Sequence, residues 1–226
     1  MVLLARESSS RGSEAALNEL CRAYWYPLYA YVRRQGHGSH DAQDLTQEFF
    51  ARLLAGEYLK IASQERGRFR SLLLKSLQHF LINDWVRSRA QKRGSGQRLV
   101  PLDDEIAEGA YQRESPSPLS PERLYDRRWA MTLLEKAMDR LDAECAAAGK
   151  RALFEQLKPV LLTEGSAESY RTLAAPLGLS EGAVKVAVHR LRQRFREAVR
   201  AEIALTVVTP EEVDLELRCL TAAMIG

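Results

Sequence analysis

The sequence predicts an all-α protein built as two small helical domains joined by a flexible linker. Three observations carry that expectation. Apolar residues recur at helical spacing along most of the chain, strand-like alternation is nearly absent, and proline and glycine collect in the middle. The first domain is expected over residues 10–93, the linker over 94–121, the second domain over 122–200 and a helical extension over 201–226.

In the first block Leu17, Leu20, Tyr24, Leu28 and Tyr31 repeat at helical spacing. Pro27 marks a kink or a new first turn there. GHGSH, residues 36–40, reads as a turn. Ser39 or Asp41 can cap the next helix, because their side-chain oxygens accept backbone N–H groups that lack partners at a helix start. That helix, DAQDLTQEFFARLLAG, runs to Gly56. Residues 57–68 are polar and read as loop with a short turn. A long helix follows over 69–93, with Phe69, Leu73, Leu77, Phe80, Leu81 and Trp85 as its apolar positions.

From Gly94 the composition changes. GSGQRLVPLDDEIAEGAYQRESPSPLSP contains Pro101, Pro116, Pro118 and Pro121 together with the acidic run Asp103, Asp104 and Glu105. Such a segment is expected to hold little fixed structure. Further helices are expected over 122–147, 150–162, 169–177 and 181–205. A last one starts near Pro210, with Thr209 as cap and Val213, Leu217 and Leu220 on one face.

Bulk properties narrow the class. At 226 residues with 46% apolar content, the chain can bury a core. Its net charge is only +3, but basic residues cluster at 87–98 and 185–200, which suits contact with a polyanion at defined places. The three cysteines, Cys21, Cys145 and Cys219, are far apart and form no CxxC pair. That argues against a disulfide framework and a zinc knuckle, and it fits a reducing, cytoplasmic setting. The start MVLLARESSSRG is too briefly apolar for a signal peptide, and no stretch reads as a membrane span. An enzyme is not expected. There is no phosphate-binding glycine loop, no HExxH and no nucleophile elbow. His37 and His40 form an HxxH without a neighbouring carboxylate or cysteine cluster, so neither a metal nor a cofactor is expected.

The clearest motif lies at 170–196, YRTLAAPLGLSEGAVKVAVHRLRQRFR. It divides into a short helix, a tight turn and a longer helix. Leu173, Ala174 and Leu177 face inward, Gly178 stops the first helix, Leu179 packs inward and Ser180 caps the second. Pro176, late in the first helix, removes one backbone donor and is expected to shorten or bend it. In the second helix Val184, Ala187, Val188, Leu191 and Phe195 form a buried stripe. Lys185, Val186, His189 and Arg190 lie opposite it. A helix-turn-helix uses such a face in the major groove. Arg192, Arg194 and Arg196, further along, suit phosphates better than bases.

The first block has a different chemistry. DAQDLTQEFFARLL sets Asp41, Asp44, Gln47 and Glu48 beside Leu45, Phe49, Phe50 and Leu53, a face that suits a protein partner with basic residues. SLLLKSLQHFLINDWVRSRAQKR mixes aromatics with a basic stripe, which suits single-stranded or melting DNA. In these segments the sequence resembles the sigma-70 family of bacterial RNA polymerase sigma factors, and most closely its extracytoplasmic-function group. That group keeps two domains, regions 2 and 4.

The resemblance implies that Asp41, Asp44, Leu45, Gln47 and Glu48 face core RNA polymerase. It places His79, Asn83, Arg87 and Arg89 along the −10 strand of promoter DNA. It makes residues 57–68 the loop that captures a flipped-out base. It assigns Ser180, Lys185, Val186, His189, Arg190, Arg192 and Arg194 to the −35 element. Without it, a helix-turn-helix regulator that never meets polymerase remains the alternative. Whether an anti-sigma protein, a kinase or the tail silences the chain stays open. So does the tail's own role, which is either to fold back on the protein or to bind a regulator.

Overall fold

The computed structural model describes residues 11–55, 69–88, 104–113, 117–163, 167–207 and 209–225. Every regular element among them is helical: α1 (Arg11–Arg34), α2 (Ser39–Leu54), α3 (Phe69–Ser88), α4 (Asp104–Arg113), α5 (Pro121–Ala147), α6 (Arg151–Leu157), a 3-10 turn (Lys158–Val160), α7 (Ala167–Leu177), α8 (Glu181–Ala204) and α9 (Pro210–Ile225). The all-α expectation is met. The chain divides into two compact units, Met1–Thr132 with Ile203–Gly226, and Leu133–Glu202. No helix among the described residues is long and apolar enough to cross a membrane.

The first unit is built on aromatic side chains. Trp25 and Tyr29 of α1 stack at 5.1 Å, and Phe49 of α2 meets Phe50 at 5.8 Å and Phe80 of α3 at 5.9 Å. Leu28, Leu53, Leu73, Leu77, Tyr125 and Trp129 are buried with them. Burial at this density offsets a local defect: of the kink or new first turn expected at Pro27, the new start is absent, and α1 runs through it as one helix. Pro27 removes one hydrogen bond, but Tyr24, Trp25, Leu28 and Tyr29 around it are all in the core. The turn after α1 uses Gly36 at φ +96°, a conformation that favours glycine. Neither Ser39 nor Asp41 caps α2. Gly38 takes the N-cap position with extended backbone and no side-chain cap, and its carbonyl accepts from Ala42 N–H at 2.9 Å.

Two segments expected outside the domains are folded into this unit. The first is α4, inside the stretch read as a structureless linker. Its order comes from nonlocal partners. Glu108 accepts from Arg33 Nε at 3.0 Å and Arg33 Nη2 at 2.8 Å, and also from the Tyr29 hydroxyl. Tyr111 lies 4.8 Å from the Arg33 guanidinium, and Ala107 is buried. Burial pushes the Glu108 carboxyl up, but the hydrogen bonds from Arg33, Tyr29 and Gln112 outweigh it and hold the group below the usual carboxylate range. The second segment is α9, which buries Val213, Glu216 and Leu220.

In the second unit Leu133, Ala137, Leu141 and Cys145 form the buried stripe of α5. The helix stops in a left-handed cap at Gly149, φ +68°, with Lys150 N–H bonded to Cys145 C=O at 2.8 Å. The helix expected over 150–162 is split into α6 and the 3-10 turn. Pro159 within that turn has no N–H to continue an α-helix.

Candidate nucleic-acid interface

The helix-turn-helix forms as its local chemistry dictates. α7 ends in a Schellman motif, with Gly178 at φ +62°, Leu179 N–H on Ala174 C=O at 3.1 Å and Gly178 N–H on Ala175 C=O at 3.2 Å. Pro176 sits in the last turn without breaking the helix, which reaches Leu177. Ser180 caps α8: its hydroxyl accepts from Ala183 N–H at 3.2 Å. Leu179, expected to pack inward, is 39% exposed instead, because the capping hook turns the chain outward there.

Along α8, Val184, Val188, Leu191 and Phe195 are buried, and Ala187 is half-buried. Lys185, Val186, His189 and Arg190 are exposed, so the structure brings the four predicted base-proximal residues onto one solvent-facing surface. Val186 is 51% exposed, an open apolar group amid charged neighbours. Lys185 pairs with Glu181 at 2.7 Å, and its ammonium lies 5.9 Å from the Tyr170 ring. Lys185 holds the Glu181 carboxyl below the usual carboxylate range. Glu181 also comes within 4.0 Å of Arg171 on α7. That adds two charged groups to the surface that the sequence reading did not name.

Arg192 and Arg194, expected at phosphates, each hold partners within their own unit. Arg192 donates to Leu161 C=O at 3.2 Å, Val160 C=O at 2.8 Å and Thr163 C=O at 2.5 Å. These carbonyls close the α6 and 3-10 segment, where a helix end leaves acceptors without partners. Arg194 pairs with Glu144 at 2.8 Å and approaches Cys145 Sγ at 3.8 Å. That hydrogen bond from Arg194, together with Arg140, holds the Glu144 carboxyl below the usual carboxylate range against the opposing effect of burial.

In the first unit α2 presents Asp41, Asp44 and Glu48 to solvent, with Leu45 and Gln47 half-buried beside them. Its inner face is Ala42, Thr46, Phe49, Phe50 and Leu53. Local pairs order the acidic row: His40 Nδ1 lies 3.2 Å from Asp44, and Arg52 bonds Glu48. On α3, His79 and Asn83 are exposed. Leu45 and His79 line one groove of about 790 Å³ with Tyr31, Gln35, Ile82 and Asp84, so a residue from each predicted set meets there. Arg87 lies on α3, but its side chain falls outside the described residues, as do Arg89 and the 57–68 segment.

Residues 5–201 match the family model described as ECF sigma factor. The chain belongs to the ECF sigma factor family. Among curated relatives it is similar to the ECF RNA polymerase sigma factor SigE of Mycolicibacterium smegmatis, with 29% identity over 189 residues. The alignment covers 82% of this chain and 63% of the relative's length. No solved structure matches.

The family match ends before α9, and the side chain that α9 contributes is one that sequence reasoning missed. Glu216 interrupts the apolar stripe of Val213, Leu217 and Leu220. A charge inside a buried stripe was the available signal. Its partner, Arg70, is far away in sequence, and no local pattern pairs the two.

Proposed function

We propose that this ECF sigma family chain binds bacterial core RNA polymerase and directs it to promoters. The observation that carries the reading is the coexistence, in one family-matched chain, of two surfaces: an exposed acidic row on α2, and an exposed Lys185, Val186, His189 and Arg190 face on a capped helix-turn-helix. In this reading the first unit, Met1–Thr132 with Ile203–Gly226, acts as the region 2 domain, with α4 and α9 folded into it, and Leu133–Glu202 acts as the region 4 domain. Asp41, Asp44, Leu45, Gln47 and Glu48 dock on polymerase. His79, Asn83, Arg87 and Arg89 follow the −10 strand once it opens.

Ser180 fixes the start of the −35 reading helix, and Arg190 is its best guanine reader, since an arginine can bond both acceptors on that base edge. Val186 offers apolar contact to a thymine methyl. Arg192 and Arg194 serve the same surface indirectly, by holding α8 to the rest of its unit. The action is binding in the cytoplasm, and polymerase supplies the chemistry. Phosphate contacts make promoter affinity fall steeply with salt.

The test mixes the purified chain with bacterial core polymerase and follows the complex by size-exclusion chromatography. Wild type co-elutes, and an Asp44→Arg/Glu48→Arg variant does not. Failure of the wild type to co-elute, with duplex binding retained, would make the chain a helix-turn-helix regulator that acts without polymerase.

A further inference from the structure

The first turn of α3 carries a buried charge. Arg70 is 5% exposed, and its Nε lies 3.3 Å from Glu216 of α9, itself 2% exposed. The same guanidinium bonds Asp126 of α5 and stacks 4.5 Å from the Trp129 ring. The Arg70 carbonyl accepts from the Tyr125 hydroxyl at 3.2 Å. Trp129 donates to the Tyr24 hydroxyl at 3.2 Å, and Tyr24 is hydrogen-bonded to Thr206. Two residues beyond the family match, Thr206 and Glu216, therefore complete a buried polar network that ties α3 to α1 and α5.

Stability alone gives no reason for this arrangement. A buried ion pair roughly breaks even against apolar side chains of the same volume, and its best-attested contribution is to specify one register among alternatives. α3 needs such a device. Leu72, Leu73, Leu74, Leu77, Phe80, Leu81 and Ile82 surround the helix, and Ile82 is 61% exposed. An apolar pattern this broad does not select one rotation about the helix axis. A charge that finds a partner in only one rotation does.

We propose that Glu216 is a positioning residue for the −10 strand: acting through Arg70, it sets the rotation of α3 and so the direction in which His79 and Asn83 face. This rests on the sigma-factor reading above. The tail is then a working part of the −10 site that this chain adds beyond the family match.

The experiment uses the full chain with bacterial core polymerase and promoter DNA. Two variants are compared with wild type: Glu216→Gln, and Arg70→Met/Glu216→Leu, which refills the site with apolar side chains. Opening of the −10 region is read by permanganate reactivity of unpaired thymines. Polymerase affinity, −35 duplex affinity and thermal stability are read beside it. In the double variant, stability and both affinities should stay near wild type while opening falls about tenfold. Glu216→Gln should lower opening similarly.

Recovery of opening in the double variant would reduce the pair to a structural role and overturn the proposal. Unchanged or increased opening in Glu216→Gln would overturn it too. Amide exchange across 69–88, measured without polymerase, gives an independent reading: altered protection in a double variant of wild-type stability supports the register role, and unaltered protection overturns it. Absence of polymerase binding by the wild type would fall on the sigma-factor reading, leaving the exchange result to decide the register.

Discussion

Arg190 and Arg192 are two positions apart on α8, so they project about 200° apart around the helix at 100° per residue. Arg190 faces solvent, whereas Arg192 turns back onto the carbonyls of Val160, Leu161 and Thr163. The same side chain therefore does different work at the two positions. A guanidinium that satisfies helix-end acceptors contributes to stability, on the order of 1.5–3 kcal/mol for hydrogen bonds with a charged donor. A free one at a base edge contributes discrimination of similar size. Arg192→Ala is expected to lower the thermal midpoint and leave the −35 base preference intact. Arg190→Ala is expected to leave the midpoint nearly unchanged and to relax preference at one base pair by about 1–3 kcal/mol. Thermal denaturation paired with binding to a panel of −35 variants checks both. Swapped outcomes would mean that Arg192 reads DNA and Arg190 does not.

At the scale of the element, helices whose signals are local were legible. Gly178 and Gly149 stop their helices with positive φ, and Ser180 starts α8, all within a few residues of the apolar periodicity they punctuate. A Cβ added at Gly178 meets nothing within 4 Å, so backbone conformation alone decides the cost of substitution there. Gly178→Ala should destabilise by about 1–2 kcal/mol, the penalty of a left-handed L-residue, with no loss from crowding. Chemical denaturation is the check, and an unchanged free energy would mean that the turn is not held at φ +62° in solution. What the sequence left hidden depends on distant partners. α4 exists because Glu108 finds Arg33 and Tyr29 at separations of 75 and 79 residues. The continuity of α1 through Pro27 depends on burial, and the place of Glu216 in the docked face of α9 depends on Arg70. Composition marked 94–121 as linker, yet ten of those residues form α4 and Pro121 opens α5. Of the candidate interfaces, the exposed face of α8 and the acidic row of α2 were readable from spacing. The turn of Arg192 onto the carbonyls of Val160, Leu161 and Thr163, and the pairing of Arg194 with Glu144, were not, because periodicity places a long side chain on a face without saying what its end can reach.

For the whole molecule, the family match and the folded unit have different ends. The match stops at residue 201, whereas the first unit takes in Ile203–Gly226. A chain cut after Ala204 keeps everything the family model covers. It loses Val213 and Leu220 from the core and leaves Arg70 without the Glu216 carboxylate. Burying two aliphatic side chains contributes roughly 1.5–3 kcal/mol each by area, and the stranded arginine adds to the loss unless water reaches it. For a unit of this size each kcal/mol shifts the midpoint by about 2–4 °C, so the cut should lower it by roughly 10 °C. The measurement can be confined to the right part of the chain, since the three tryptophans, Trp25, Trp85 and Trp129, all belong to the first unit. Tryptophan fluorescence should therefore show the shift, while duplex binding through α8, which lies almost wholly in the second unit, persists. An unshifted fluorescence midpoint would make α9 an appendage, and the reason for burying Glu216 would then have to lie outside the first unit's fold.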